Sequence, residues 1–327
     1  MRLVVAGSIA TDHLMTFGGR FTDSLVADKL DQVSLSFLVD DLDIRRGGVA
    51  ANIAFGLGRL GLRPVLLGAV GEDFADYRSW LERHGVDTDS VHVSHALHTA
   101  RFVCTTDADR NQIASFYPGA MAEARLIELG PVLERVGDVD LVLIGPDDPE
   151  AMLRHTQECR QRGIPFVSDP SQQLAAMDGE QIRDLVDGAA FLFTNEYEAA
   201  LTEQKTGWSA EEILDRVGYR VTTRGPQGAV VDSRAGERVT VSVPQERQRA
   251  DPTGVGDGFR AGFLAGLGWG LDHTRCAQLG CLLATCVLET VGTQEYVFEV
   301  AEFVDRLREA YGDTAADEVA EHLVAAV

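Results

Sequence analysis

Residues 251–259 read Asp-Pro-Thr-Gly-Val-Gly-Asp-Gly-Phe, three glycines in a turn that leads directly into an apolar helix predicted over 259–267. The first backbone amides of such a helix have no intrahelical partner, and the helix dipole favours negative charge there. The turn therefore predicts an anion site, for which phosphate is the commonest ligand. A carboxylate such as Asp257 repels a phosphate, so its presence in this turn needs a chemical reason. Accepting the proton of a hydroxyl that attacks the phosphorus is such a reason. A helix-capping Asp beside flexible glycines is the alternative, and the run alone does not decide between the two.

The remainder of the chain alternates short apolar runs with amphipathic stretches. The apolar runs are at 65–68, 141–145, 166–169, 191–195 and 219–223. Near-continuous apolar strands separated by helices predict an α/β fold, a parallel sheet covered by helices on both faces. Ligands of such sheets bind beyond the carboxyl ends of the strands. Polar residues that follow strands here are Ser8, Asp12, Asp169, Asn195, Thr222 and Thr223.

Two segments interrupt the alternation and predict a small β-layer. Residues 33–40 alternate in polarity through Phe37, and 99–106 with 112–117 flank a turn at 107–111 that predicts a β-hairpin. Such a layer could close over a ligand or pair with a second copy of itself, and an ordinary surface hairpin is the alternative. We favour the lid, because two separated insertions of strand type need a common partner. The predicted division is a large domain of residues 1–12, 46–97 and 118–327, with a β-lid of residues 13–45 and 98–117.

Charge and composition exclude several classes of protein. The formal charge of −22 argues against nucleic-acid and anionic-membrane partners, which the whole surface would repel. Only two lysines occur, and neither lies in a GxxxxGK[ST] loop, which excludes a P-loop NTPase. The five cysteines show no CxxC spacing and are expected to be buried apolar residues. No apolar run approaches a membrane span and no leader segment is evident, so we expect a cytoplasmic protein.

Three further motifs each give only weak evidence for a ligand site when taken alone. Gly47–Asn52 reads GGVAAN before an apolar helix, where paired glycines let a ligand hydroxyl approach the backbone and Asn52 can donate and accept. Asn195 and Glu198 share the first turn of a helix, which suits a hydrated Mg²⁺, although a plain helix cap is the better reading of this motif alone. Residues 223–228 could wrap a triphosphate or equally form a hairpin turn.

An aromatic pair and two amides suggest a flat heterocyclic ligand. Phe102 and Phe116 are predicted to face each other across the hairpin, and Gln172 and Gln173 follow the strand that ends at Asp169. Aromatic rings stack on a heterocycle and amides hydrogen-bond to it. Packing of the two phenylalanines in the protein core is the alternative to a role in ligand binding, and the sequence favours neither.

Taken together and in this order, the motifs resemble those of the ribokinase-like (PfkB) family of sugar and nucleoside kinases over nearly the whole chain. The runs 47–52 and 251–264 resemble its two signatures, with Val255 where a small Ala is usual. Residues 195–198 fit its NxxE motif, and 223–228 fit its nucleotide loop. Within the family, the runs 7–13, 34–41, 114–121 and 169–174 are similar to those of bacterial adenosine kinases of the mycobacterial type.

The resemblance implies a three-layer α/β/α fold with a small β-lid, and transfer of the ATP γ-phosphoryl group to the 5′-hydroxyl of adenosine in purine salvage. Asp257 would act as base, with the amides of Gly254, Val255 and Gly256 stabilising the moving phosphoryl group. The implied substrate-binding residues are Ser8, Asp12, Ser36, Gly48, Asn52, Phe102, Phe116, Gln172 and Gln173. The implied ATP-binding residues are Asn195, Thr223, Gly225 and Gly228, with Glu198 orienting Mg²⁺ through water. The resemblance also implies a homodimer through the lid, and it allows potassium activation near Asp251 and Thr253.

Two other functions compete with this interpretation. A ribokinase- or fructokinase-like sugar kinase would share the same motifs and differ in its acceptor. A non-catalytic nucleoside sensor on the same fold would need neither a base such as Asp257 nor a metal-orienting acid such as Glu198, so the presence of both argues against it.

Overall fold

The computed structural model describes residues 1–24 and 36–323. Its core is an eight-stranded sheet in the order β14-β13-β12-β11-β10-β9-β1-β4. The strands of this sheet are β1 (Leu3–Ala6), β4 (Val65–Leu67), β9 (Leu141–Ile144), β10 (Phe166–Ser168), β11 (Phe191–Asn195), β12 (Tyr219–Thr223), β13 (Ala229–Ser233) and β14 (Arg238–Val241). From β4 to β12 all neighbours are parallel, whereas β13 and β14 extend the sheet antiparallel. The sequence prediction of a mostly parallel α/β sheet is confirmed.

Helices cover both faces of this sheet. They are α2 (Val49–Arg59), α3 (Ala75–Arg83), α4 (Leu129–Val136), α5 (Pro149–Arg162), α6 (Gly179–Val186), α7 (Glu196–Thr206), α8 (Ala210–Leu214), α9 (Val255–Gly268), α10 (His273–Leu288), α11 (Val300–Tyr311) and α12 (Asp313–Leu323). The short helix α1 (Phe21–Ser24) is not among them, and its Phe21 stacks on Phe17. On β1, Leu3 and Val5 belong to a hydrophobic core shared with α2, α9 and α10, whereas Val4 and Ala6 belong to a second core shared with α4, α5 and α6. This alternation is the period of two expected for a strand buried on both faces. The result is a three-layer α/β/α arrangement.

A second sheet of four strands stands apart from the first. Its order is β3-β2-β7-β8, formed by β2 (Ala10–Thr16), β3 (Asp41–Gly47), β7 (Ala100–Thr106) and β8 (Gln112–Tyr117). The hairpin predicted over 99–106 and 112–117 is confirmed, with Phe102 opposite Phe116. The remaining two strands, β5 (Ala69–Gly71) and β6 (His92–Ser94), pair with each other.

The strand expected over 33–40 is wrong where it can be checked. Val33, Ser34 and Leu35 lie outside the described residues, and residues 36–40 are not in a strand. The strand begins instead at Asp41, which pairs with Thr16 of β2. Polarity alternates over 33–37 and again over 41–45, so alternation alone could not place the strand. The division into a large domain and a lid at the boundaries given above remains a prediction.

Local signals in the sequence account for several element ends. The stretch 149–162, which follows the apolar run 141–145, predicts a helix, and α5 spans it. Asp148 accepts hydrogen bonds from the amides of Glu150 and Ala151 at its start, and Gly163 in the left-handed region follows its end. The five cysteines are buried and unbridged, as expected. In the ranges 1–24 and 36–323, no helix is both long enough and apolar enough to cross a membrane.

Candidate active site

The glycine turn at 251–257 lies between two cavities. One, of about 400 Å³, is lined by Thr253, Gly254 and Asp257 from the turn. The other, of about 480 Å³, is lined by Asp251, Pro252, Val255 and Gly256 from the same turn. The first cavity reaches the four-stranded sheet, and the second reaches the end of β12. A group moving between ligands in the two cavities must therefore pass the turn.

The turn has the geometry of an anion site. Gly254 takes the left-handed conformation, with φ of 77°, and α9 begins at the next residue. No side chain caps this helix start. The amide of Val255 makes only a long bond, of 3.4 Å, to the carbonyl oxygen of Pro252, and the amides that follow it in the first turn are left for a ligand. An apolar helix without its own cap agrees with the anion site predicted from the sequence.

Asp257 is held at this helix start by Asn52 from α2. The Nδ2 of Asn52 donates to Oδ2 of Asp257 across 2.8 Å. Burial raises the pKa of Asp257 to about 6, against the opposing effects of this hydrogen bond and of the positive charge of Arg260. A carboxylate with a pKa near neutrality is suited to accept a proton from a hydroxyl.

The orientation of Asn52 depends on two residues that the sequence analysis missed. Oδ1 of Asn52 accepts from Nε2 of Gln294 at 2.9 Å and lies 3.0 Å from Oγ1 of Thr293. With its oxygen occupied on that side, the amide presents its NH₂ to Asp257. Thr293 and Gln294 come from the segment after α10, more than 240 positions from Asn52, and no spacing rule connects them.

A buried ion pair behind the turn was also missed. Arg260 makes a bidentate pair with Asp169, whose Oδ1 is 2.6 Å from Nη2, and its Nη1 donates to the carbonyl oxygen of Gly256. Asp169 is fully buried and Arg260 is 6% exposed. Removing one partner from such a pair typically costs about 3–5 kcal/mol. The positive charge of Arg260 also lowers the pKa of Asp257, against the effect of burial.

The first cavity gathers most of the predicted substrate residues. It is lined by Ser8, Asp12, Gly48, Asn52, Phe102, Phe116, Gln172 and Gln173, together with Ala10, Met121 and Pro146, among others. Ser36 is exposed and does not line this cavity. Pro146 and Met121 were not predicted, because neither residue type carries a binding signal in a sequence.

The polar and aromatic sides of this cavity differ in character. Burial, with the negative charges of Asp251 and Glu295 nearby, raises the pKa of Asp12 to about 6. Gly48 has φ of 92°, and an added Cβ would lie 2.6 Å from the amide nitrogen of Ala10, so only glycine fits there. On the other side Phe116 is 52% exposed, which leaves its ring available to a ligand.

The predicted ATP-binding residues are only partly brought together. Thr223 and Gly225 line the second cavity, whereas Asn195 and Gly228 do not. Asn195 lies opposite Thr223 in the β11–β12 register, at the carboxyl edge of the sheet. Gly228 has a structural reason to be glycine, because an added Cβ would overlap the carbonyl oxygen of Val241.

Asn195 and Glu198 form a reciprocal capping box at the start of α7. Oδ1 of Asn195 accepts from the amide of Glu198, and Oε2 of Glu198 accepts from the amide of Asn195, both at 2.8 Å. The cap interpretation of this motif is therefore correct. Burial raises the pKa of Glu198, which lies within electrostatic reach of Asp169 and Asp257.

The residues present fit a magnesium ion that arrives with the nucleotide. Across the described ranges, no three His, Cys, Asp or Glu side chains converge as an all-protein metal site would require. Mg²⁺ in phosphoryl-transfer sites is held by phosphates, waters and one or two carboxylates. Glu198 retains Oε1 for such a role, since only Ser171 approaches it, at 3.5 Å.

Comparison with known proteins agrees with this geometry. The family model described as pfkB family carbohydrate kinase matches residues 11–299. A nucleoside kinase of Methanocaldococcus jannaschii is 30% identical over 264 residues, covering 80% of this chain and 85% of that protein. A ribokinase of Bacillus subtilis is 26% identical, covering 92% and 99% of the two chains.

A solved structure resembles this chain over nearly its full length. The nucleoside kinase of Burkholderia thailandensis in complex with inosine superposes with a TM-score of 0.83 at 35% identity, covering 96% of this chain and 99% of that one. The same protein in complex with ADP-inosine gives a TM-score of 0.81 at 36% identity, covering 96% and 97%. The Methanocaldococcus and Burkholderia relatives are named for nucleosides in general, so the narrower likeness to adenosine kinases is not supported by them.

Proposed function

This chain belongs to the pfkB family of carbohydrate kinases, which are ATP-dependent phosphotransferases acting on a hydroxyl group, and we propose that it phosphorylates the 5′-hydroxyl of purine nucleosides, with adenosine as the preferred acceptor. The observation that carries the proposal is the pair of cavities that meet at the turn 251–257, with Asp257 on the acceptor side.

In the proposed reaction, the nucleoside occupies the first cavity with its ribose between Asp12 and Asn52. Asp257 accepts the proton of the 5′-hydroxyl while that oxygen bonds to the γ-phosphorus of ATP and the bond to the β-phosphate oxygen breaks. The amides at 254–256 stabilise the negative charge on the transferred group, which is the larger part of catalysis in such reactions. The products are a nucleoside monophosphate and ADP.

The acceptor is proposed to be a nucleoside because of the aromatic side of the first cavity. Phe102 and Phe116 pair across the hairpin, and Gln172 lines the same cavity. The rings can stack on a base and an amide can pair with its polar edge, whereas a free sugar has no flat face for them. The inosine complex of the Burkholderia relative supports a purine nucleoside.

The cofactors belong to the same proposal. ATP would enter the second cavity beside Thr223 and Gly225, with Glu198 orienting a hydrated Mg²⁺ that screens the phosphate charge. A potassium ion would bind near Thr253 and Asp251, where the Asp251 carboxylate already accepts from the amides of Thr253 and Gly292.

The test is a panel of acceptors with ATP and Mg²⁺. ADP formation would be measured with adenosine, inosine, guanosine and free ribose at equal concentrations, in potassium and in sodium buffers. We expect turnover with the purine nucleosides, fastest with adenosine, and little with ribose. Preference for ribose would replace the proposal with a sugar kinase, and preference for inosine would change only the base specificity.

A further inference from the structure

A chain of hydrogen bonds with a fixed polarity runs from an indole to the Asp257 carboxylate. Nε1 of Trp80 in α3 donates to Oε1 of Gln294 at 3.1 Å, and Nε2 of Gln294 donates to Oδ1 of Asn52 at 2.9 Å. Nδ2 of Asn52 then donates to Asp257 at 2.8 Å. An indole can only donate and an ionised carboxylate can only accept, so the two ends set the direction of every bond between them.

A branch of this series of hydrogen bonds starts at Gln294, and its donors point the same way, away from Trp80. Nε2 of Gln294 also donates to the hydroxyl of Tyr77 at 2.5 Å, and that hydroxyl donates to the carbonyl oxygen of Gly47 at 2.9 Å. Gln294 is 1% exposed and Asn52 is 7% exposed, so water cannot easily substitute for a lost partner. Each amide therefore has one orientation that satisfies all its neighbours.

We propose that Gln294 is a positioning residue for phosphoryl transfer, which fixes the Asn52 amide so that its NH₂ faces the catalytic carboxylate. If Gln294 turned over, the Asn52 amide would have to turn as well, and Oδ1 would face the oxygen of Asp257. Two oxygens without a proton between them repel at that distance. The base would then be displaced from the acceptor hydroxyl, or would bind a proton and lose its function. The inference rests on the proposed role of Asp257.

Asp257 also lies near three charged groups, one on its own helix and two on other parts of the chain. Arg260 lies on the same helix, Asp169 follows β10, and Glu198 lies on α7. None of these is hydrogen-bonded to Gln294, and the hydrogen-bonded path from Gln294 to Asp257 runs through Asn52. Their charges are the same in the parent and in the variants below, and they cancel in the comparison.

The test is Gln294→Glu, which has the same shape and, when ionised, cannot donate to Asn52. We expect kcat to fall by about tenfold or more, within the range for a disturbed general base. We also expect the acidic limb of the kcat/KM profile to move to higher pH, by about one unit. The KM for ATP should stay within about twofold, because the second cavity does not include these residues.

Two further variants separate the possible outcomes. Gln161→Glu adds the same charge at an exposed position of α5 and should leave rate, profile and melting temperature at parental values. Trp80→Phe removes the fixed donor but keeps an aromatic ring beside Phe55, and should shift the limb in the same direction by less. If Gln294→Glu fails to fold, Trp80→Phe decides alone.

Gln294→Glu also adds a negative charge near Asp257, whereas Trp80→Phe adds none. The inference is overturned if Trp80→Phe keeps the parental profile, or if the folded variants lose rate equally at every pH, since the latter shows a merely structural role. An active Asp257→Asn enzyme would instead refute the base assignment itself. The two failures are thus distinguishable.

Discussion

At the scale of single residues, Asp257 must carry a charge that its surroundings disfavour. Burial raises its pKa to about 6, and the donor Asn52 opposes that shift. A base works only in its ionised form, so activity should be constant above this pKa and should fall as the pH drops below about 6. The measurement is kcat/KM for the nucleoside from pH 5 to 8. A rate that stays level down to pH 5 would contradict the assignment, and circular dichroism at each pH would show that the fold persists.

The same raised pKa has a consequence for stability. An Asp in an unfolded chain has a pKa near 4. Because the folded state binds this proton more tightly, folding stability is lost as the pH rises from about 4 to about 6, and it stays lower above that. Asp257→Asn removes the buried charge and keeps an acceptor for Asn52. We therefore expect it to lose about 10²-fold or more in kcat and to melt at a higher temperature than the parent at pH 7.

A lower kcat together with a higher melting temperature is diagnostic, because in a misfolded variant both the activity and the melting temperature would fall. Asp76→Asn, a substitution of an exposed carboxylate in the first turn of α3, is a matched control and should keep the parental kcat. An Asp257→Asn enzyme that turns over at near-parental rate would exclude the base role.

At the scale of elements, the loop 223–228 contains two glycines with different reasons to be glycine. Gly225 has φ of 54° and open space around it, whereas Gly228 has φ of 87° and lies against Val241 of β14. Gly228→Ala should therefore lower the melting temperature, with the ATP KM of the folded fraction close to the parental value. Gly225→Ala should raise the KM for ATP several-fold with a smaller loss of stability, because its Cβ would project into the space proposed for the phosphates. Parental KM for ATP in Gly225→Ala would remove this loop from the nucleotide site.

Elements were predicted well from the sequence where a local signal defined them. Helix α5, the hairpin β7–β8 and the helix after the glycine turn follow from periodicity and turn residues, which act within a few positions. The strand β3 was displaced because polarity alternates over 33–37 as well as over 41–45, and the pattern alone does not say which run pairs with β2. Gln294 and Arg260 were missed for a different reason. Their importance lies in contacts with Asn52 and Asp169, far away in the sequence, which only the folded chain creates.

At the scale of the whole molecule, the net charge disfavours association of two copies, whereas the outer face of the lid sheet favours it. Each copy carries a formal charge of −22, so two copies repel over long distances, and salt weakens that repulsion. The four-stranded sheet nevertheless exposes apolar side chains on the face opposite the cavity. In the strand register Ile44 pairs with His13, next to the Asp12–Phe102 pair that lines the cavity, so Ile44 points the other way. Leu42, Ile113 and Tyr117 share that outer face.

We propose that this outer face is covered by a second copy, forming a homodimer through the lid. Leu42 and Ile44 are 50% and 57% exposed on an edge strand, which a protein of this charge would otherwise be expected to protect. Ile44→Glu should convert the dimer to a monomer in light scattering after size exclusion, and higher salt should strengthen the parental dimer. Leu126→Glu places the same charge at an exposed leucine outside the lid and should remain dimeric. A parental protein that is monomeric at all salt concentrations would refute the dimer. The hairpin would then have to close over the nucleoside without support from a partner.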